Sequence, residues 1–173
     1  MSRRALALAL VALIGLAPAA GHAAAETPQA EAARLYQKGL ALDAGTAPTA
    51  DRHAVDCYMR AAGLGHARAQ VALANHYLAG TGVRRDPAQA LRWYARAAER
   101  GDGEAFAKLG AIYRRAGQTE KAYACWLLAA ELGEGDTPAQ ARALARGLER
   151  TLSSSQRASA MELATAWRLT IDR

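Results

Sequence analysis

This chain repeats itself at a fixed interval. Ala69-x-x-x-Leu73-Ala74-x-x-Tyr77 returns 36 residues later as Ala105-x-x-x-Leu109-Gly110-x-x-Tyr113. A second pattern, Ala90-x-x-Trp93-Tyr94-x-x-Ala97-Ala98, has a copy 36 residues earlier in Ala54-x-x-Cys57-Tyr58-x-x-Ala61-Ala62. Another copy follows 32 residues later, in Ala122-x-x-Cys125-Trp126-x-x-Ala129-Ala130. The two patterns alternate, so one unit holds both. Gly80 to Pro87 joins them in the complete copy, and the shorter Arg114 to Thr119 joins them in the next. A period of this length makes each unit a small supersecondary element that cannot bury its apolar face alone and must stack on its neighbours.

Each half of the unit is predicted to be a helix. Ala69, Leu73, His76 and Tyr77 fall on one face at helical spacing, as do Ala90, Trp93, Tyr94, Ala97 and Ala98. Asp86-Pro87-Ala88-Gln89 offers an N-cap, a proline in the first helical position and a capping-box glutamine. Thr137-Pro138-Ala139-Gln140 predicts the same chemistry, and Ser153-Ser154-Ser155-Gln156 a third capping box. Gly65, Gly80, Gly101, Gly117 and Gly133 stand where helices should stop. Eight helices are expected, over 28–42, 51–63, 67–79, 87–100, 103–115, 119–132, 138–150 and 154–171. Composition agrees: 46 of the 173 residues are Ala and one is Phe, so helix formers abound and strand formers are scarce. The fold class is all-α.

Residues 1–25 read as a secretory signal peptide. Arg3 and Arg4 precede an apolar run from Ala5 to Ala17, Pro18 ends it, and small residues place cleavage near Ala23 or Ala25. The run is shorter than the roughly 20 residues of a membrane-spanning helix, so no stable transmembrane span is expected after cleavage. The expected location is periplasmic or secreted. Without Arg3 and Arg4 the formal charge falls from +6 to +4, which with export argues against a nucleic-acid partner.

With its Ala/Leu/Tyr first helix, Gly-x-Gly-Val-x-x-Asp loop and Ala-x-x-Trp-Tyr-x-x-Ala-Ala-x-x-Gly second helix, the stretch from His66 to Gly101 resembles a Sel-one-like repeat, a relative of the tetratricopeptide repeat. The resemblance is full over 66–101, loop-shortened over 102–134 and partial over 26–65, where the second helix carries it. Residues 135–173 resemble the closing helical pair of bacterial exported members. The implied architecture is a short right-handed α-solenoid of antiparallel helix pairs. The implied function is a non-catalytic interaction scaffold or adaptor in the cell envelope. First helices of such repeats line a concave groove for extended peptides. The matching positions are Arg68, Val71, Asn75 and Leu78, then Glu104, Ala107, Ala111, Arg114 and Arg115. Arg68, Asn75, Arg114 and Arg115 are the candidate partner-binding residues: the guanidinium groups suit a carboxylate, and the Asn75 amide can bond a peptide backbone through both donor and acceptor. The expected partner is another exported or membrane protein, presenting an acidic segment or a C-terminal carboxylate.

Chemistry beyond binding finds little purchase. No His-Glu-x-x-His, Cys-x-x-Cys or Gly-x-Ser-x-Gly occurs, so no catalytic residue, metal ligand or cofactor is assigned. Gly80-Thr81-Gly82-Val83 lacks the lysine and preceding strand of a phosphate loop and reads as an inter-helix turn. His66 and His76 read as capping or core residues. Cys57 and Cys125 take equivalent places in units separated by a whole repeat, too far apart for a disulfide, and are expected to be buried, unbridged thiols. Some secreted members of the resembled family carry a disulfide in each repeat; this chain departs from that pattern. Two arginine ladders, Arg92, Arg96, Arg100 and Arg142, Arg146, Arg150, place like charges one turn apart, which weakens a helix slightly and marks either a solvated face or a surface for an acidic partner. The competing functional readings are an envelope hydrolase, β-lactamase-like or acting on cell-wall sugar, and a binder of anionic polymer or lipid through those ladders.

Overall fold

The computed structural model describes residues 27–45 and 49–172, so the signal peptide read over 1–25 lies outside the described residues. Within them the chain is eight helices without a strand: α1 Pro28–Asp43, α2 Ala50–Gly63, α3 Ala67–Ala79, α4 Pro87–Ala98, α5 Gly103–Arg115, α6 Thr119–Leu132, α7 Thr137–Glu149 and α8 Ser154–Ile171. Each expected helix is present with its ends within two residues of the expected ones. Consecutive helices from α1 to α7 pack together, while α8 lies against α6 rather than against α7. The all-α solenoid is therefore the architecture.

Local chemistry sets most helix starts. Asp86 Oδ1 accepts hydrogen bonds from the backbone N–H groups of Ala88 and Gln89, both at 3.0 Å. Gln89 contributes only that N–H, so the box expected around Asp86 has one half. The Ser153 box is complete: its hydroxyl accepts from Gln156 N at 3.2 Å, and the Gln156 side chain accepts from Ser153 N at 3.0 Å. Thr137 does not cap α7, as its sequence predicted, because it is already the first helical residue; Asp136 precedes it and makes no side-chain cap. The cause is the tight turn before it. The Gly133 backbone presses against Gly103 at the start of α5, and Thr137 N bonds Glu134 O at 3.2 Å, which winds the helix one residue early.

Two apolar clusters form the core. Leu35, Val55, Tyr58 and Leu73, with small residues between, join α1, α2 and α3. The larger cluster runs from Val71 through Tyr94, Phe106 and Trp126 to Ala160 and Ala164 on α8. In the first and third pairs a glycine on the first helix admits an aromatic from the second. A methyl built on Gly110 would stand 2.6 Å from Trp126 Cδ1, and one on Gly39 would stand 2.7 Å from Tyr58 Cδ1. Such approaches are tighter than any real carbon contact, so those two sites take only glycine unless the ring moves.

The Gly80-Thr81-Gly82 segment is a turn, and its second glycine has a specific duty. Gly82 adopts a φ of 68° and lies so close to α2 that a Cβ there would meet the Asp51 carbonyl carbon at 2.5 Å. The loop is thereby pinned to the preceding unit, and Val83 packs on the N-terminal cluster. Cys57 and Cys125 are both buried and unbridged, and burial pushes the Cys125 thiol up to about 12. At the far end Trp167 of α8 approaches Phe106, ring centroids 6.5 Å apart.

Candidate functional site

The first helices of all four pairs meet in a polar cleft of about 600 Å³, to which α1 gives Tyr36, α3 Arg68, α5 Glu104 and α7 Thr137. It opens at the end where the α2–α3, α4–α5 and α6–α7 loops gather, and these add His66, Arg100, Asp102 and Glu134. The Tyr36 and His66 rings stack at 4.6 Å with 29° between planes, giving one wall a flat apolar surface. His66 Nδ1 accepts from Ala69 N at 3.2 Å, so the imidazole caps α3 and must carry its proton on Nε2. Burial, then the nearby Arg68 charge, lowers its pKa.

Charges of both signs line the rest. Arg68 crosses the cleft to pair with Glu134, and both side chains are more than half exposed. Hydrogen bonding to Glu134 raises the Arg68 pKa further, so the guanidinium stays charged. Asp102 caps α5, its Oδ1 accepting from Ala105 N at 2.8 Å. Burial raises its pKa, opposed by that hydrogen bond. Glu104 faces Lys108 at 3.5 Å, one turn along α5.

The structure does not gather the four sequence candidates. Arg68 is in the cleft. Asn75 lies half-buried at mid-helix, and its Oδ1 accepts from the Tyr94 hydroxyl at 2.5 Å. That bond ties the side chain to the core and takes one of the oxygen's two acceptor sites. Arg114 and Arg115 close α5, opposite the end that bears Glu104, about 16 Å away along the axis. The Arg114 guanidinium lies 5.9 Å from the Trp126 ring centroid. Val71 is a core residue at 3 % exposure rather than a groove residue. Both ladders lie on exposed faces. Arg96 rests over the Trp93 ring at 4.7 Å, and Arg142 Nη2 donates to Ala130 O at 3.3 Å.

Sequence reasoning missed one constellation. His76, 7 % exposed, places Nε2 3.2 Å from Asp43 and Nδ1 2.8 Å from Thr81 Oγ1 and 3.0 Å from the Thr81 carbonyl. The Tyr58 hydroxyl donates to the same Asp43 carboxylate at 2.9 Å. Imidazole Nδ1 thus serves loop backbone as well as a hydroxyl, and the carboxylate is shared, which describes a clamp between α1, α2 and the α3–α4 loop. Asp43 and His76 lie 33 residues apart and outside the repeat pattern, so no local signal joined them. Among the described residues no three His, Cys, Asp or Glu side chains group to hold a metal ion, and no helix is long and apolar enough to cross a membrane.

Comparison with known proteins agrees with this architecture. A family model described as Sel1 repeat matches residues 29–66, 67–102 and 108–134. No curated protein matches the chain. Among solved structures, c5321, a protective antigen present in uropathogenic Escherichia coli strains displaying an SLR fold, superposes with a TM-score of 0.72 at 26% identity over 81% of this chain and 30% of its own. A Sel1 repeat protein from Oxalobacter formigenes superposes with a TM-score of 0.54 at 28% identity, over 67% of this chain and 48% of its own. The chain therefore spans under a third of the first protein and about half of the second.

Proposed function

The chain belongs to the Sel1 repeat family, whose members generally act as protein-interaction scaffolds, and from that premise we propose that it is a non-catalytic envelope scaffold holding a peptide segment of another exported protein in the cleft of α1, α3, α5 and α7. The observation that carries this reading is the exposed Arg68–Glu134 pair spanning the cleft. A solvated ion pair contributes about 0–1 kcal/mol, so a ligand carboxylate can replace Glu134 on Arg68 at little cost. The stacked Tyr36 and His66 rings supply a flat wall for an apolar residue beside that carboxylate. An acidic segment or a C-terminal carboxylate fits this arrangement. Export rests on the leader-like residues 1–25, and the antigen role of the similar Escherichia coli protein accords with it.

The test is cross-linking capture from the native envelope with the exported form of the protein and three variants. Arg68→Gln should lose the captured partner, and Glu134→Gln, which frees the guanidinium, should increase its yield. Arg114→Glu/Arg115→Glu, at the opposite end of α5, should leave capture intact. Capture indifferent to Arg68→Gln and Glu134→Gln, in folded protein, removes the cleft from consideration.

A further inference from the structure

On the other side of Arg100 lies a second hollow of about 510 Å³, bordered by Ala62, Gly63, Gly65, Gln70, Arg96 and Glu99 as well as Arg100. We propose that it binds the free carboxyl terminus of a peptide chain that ends in a small residue.

Three features of the hollow converge on that ligand. Its cations are seated side chains. Arg96 lies flat on Trp93, which leaves the guanidinium edge to donate. The Arg100 guanidinium rests on Gly65, where a Cβ would stand 2.9–3.1 Å from three of its atoms, so any side chain at that turn would evict it. Neither arginine has an acidic partner among the described residues, although they are adjacent rungs on α4 and its C-terminal extension. Two such forks suit a carboxylate.

The second feature selects among anions. Gln70 is 3 % exposed, and its Nε2 donates to the Ala62 carbonyl at 3.1 Å, which fixes the amide's orientation. Its Oε1 is the one buried side-chain polar atom without a partner among the described residues. A buried acceptor left bare is costly, and it calls for an N–H donor. A sulfate, a phosphate diester or a side-chain carboxylate brings charge to the arginines and nothing to Oε1. A peptide's free terminus brings both: its last N–H stands beside its carboxylate and meets Oε1 once a rim side chain moves off that buried atom.

The third feature sets the size. The rim is Ala62, Gly63 and Gly65, so the space between backbone and guanidinium groups admits a glycine, alanine or serine at the ligand's end. Glu99 on the same rim repels an acidic last residue. Arg92, the remaining rung of this ladder, lies outside the hollow and plays no part.

Fluorescence anisotropy with a dye-labelled Gly-Gly-Ala-Ala peptide and the exported form of the protein tests this. The free-acid peptide should bind at least tenfold more tightly than its C-terminal amide. Methylating the last peptide nitrogen, which removes the donor without touching the protein, should cost about as much. Arg96→Gln should weaken the free acid at least tenfold with its helical circular dichroism unchanged. Because the hollow and the cleft share only Arg100, Arg68→Gln should leave this affinity unaltered, and the two sites fail or stand separately. Equal binding of acid and amide overturns the proposal, as does folded Arg96→Gln protein that binds like the wild type. Indifference to N-methylation would reduce the hollow to a charge patch and overturn it equally.

Discussion

The first and third helix pairs close on an aromatic residue in different ways. In the first, Gly39 admits Tyr58, whose buried hydroxyl reaches Asp43, and Asp43 in turn meets His76 of the next unit. In the third, Gly110 admits Trp126, whose indole N–H donates to the Ala107 carbonyl at 3.3 Å on the partner helix itself. The close approach of ring to glycine is alike in both, down to the missing methyl. The polar handle differs: one aromatic is held by ionisable groups that link two units, the other by a backbone carbonyl within its own unit. The middle pair falls between, with Ala74 in place of the glycine and the Tyr94 hydroxyl on the neutral Asn75. A repeat therefore conserves the space for a ring more strictly than the chemistry that anchors it.

Removing a ring tests that ordering most severely. Trp126→Ala should destabilise the protein by about 3–5 kcal/mol, the range for a large aromatic lost from a close-packed core. The shift would be read from the denaturant midpoint, with m unchanged. Next in size come Gly110→Ala and Gly39→Ala. In an open helix this change stabilises by up to about 1 kcal/mol, because glycine is the poorer helix former. Here the methyl collides with a buried ring, and each variant should lose about 1–3 kcal/mol instead. A stabilising result at either site would show that the ring has room to withdraw, and the comparison of units would lose its common basis.

Most of the fold was readable because its signals are short-range. Helix ends follow caps such as Asp86 and Ser153, and the stacking partners repeat every 36 or 32 residues. What escaped depended on contacts between units. Thr137 looked like a cap until Gly133 packed on Gly103 and moved the helix start. Asn75 looked like a free ligand-binding amide because nothing local reveals that a tyrosine 19 residues on donates to its oxygen. The Arg68 cleft was half visible: the family register named Arg68 and Glu104, while Tyr36, Arg100 and Glu134 come to it only through stacking.

A finer comparison comes from two N-caps at equivalent positions 36 residues apart, Asp102 at the start of α5 and His66 at the start of α3. Asp102→Ala should cost about 1 kcal/mol by stripping the cap from Ala105 N. Asparagine caps equally well without charge. Since burial raises the Asp102 pKa, folding favours its protonated form. That favourable contribution is complete below the ordinary carboxylate value and is lost as pH rises through the higher folded one. Asp102→Asn should therefore match wild type in melting temperature near pH 4 and equal or exceed it at pH 7. An Asp102→Asn protein that melts lower at pH 7 would mean the charge itself holds α5 to its neighbours.

His66 should give the smallest effect, with the opposite sign. Its Nδ1 can accept from Ala69 N only while unprotonated, and burial and Arg68 hold its pKa below the usual 6.5. A depressed folded value means the unfolded chain takes the proton first. The cap's contribution is thus present above pH 6.5 and lost as pH falls through the lower folded value. The ring is only partly buried, so the loss should stay under about 1 kcal/mol, the worth of an ordinary cap. His66→Asn keeps a neutral cap at every pH and should flatten the melting temperature between pH 7 and pH 5 where wild type declines. An equal decline in both proteins would show that the α3 cap does not carry the acid sensitivity.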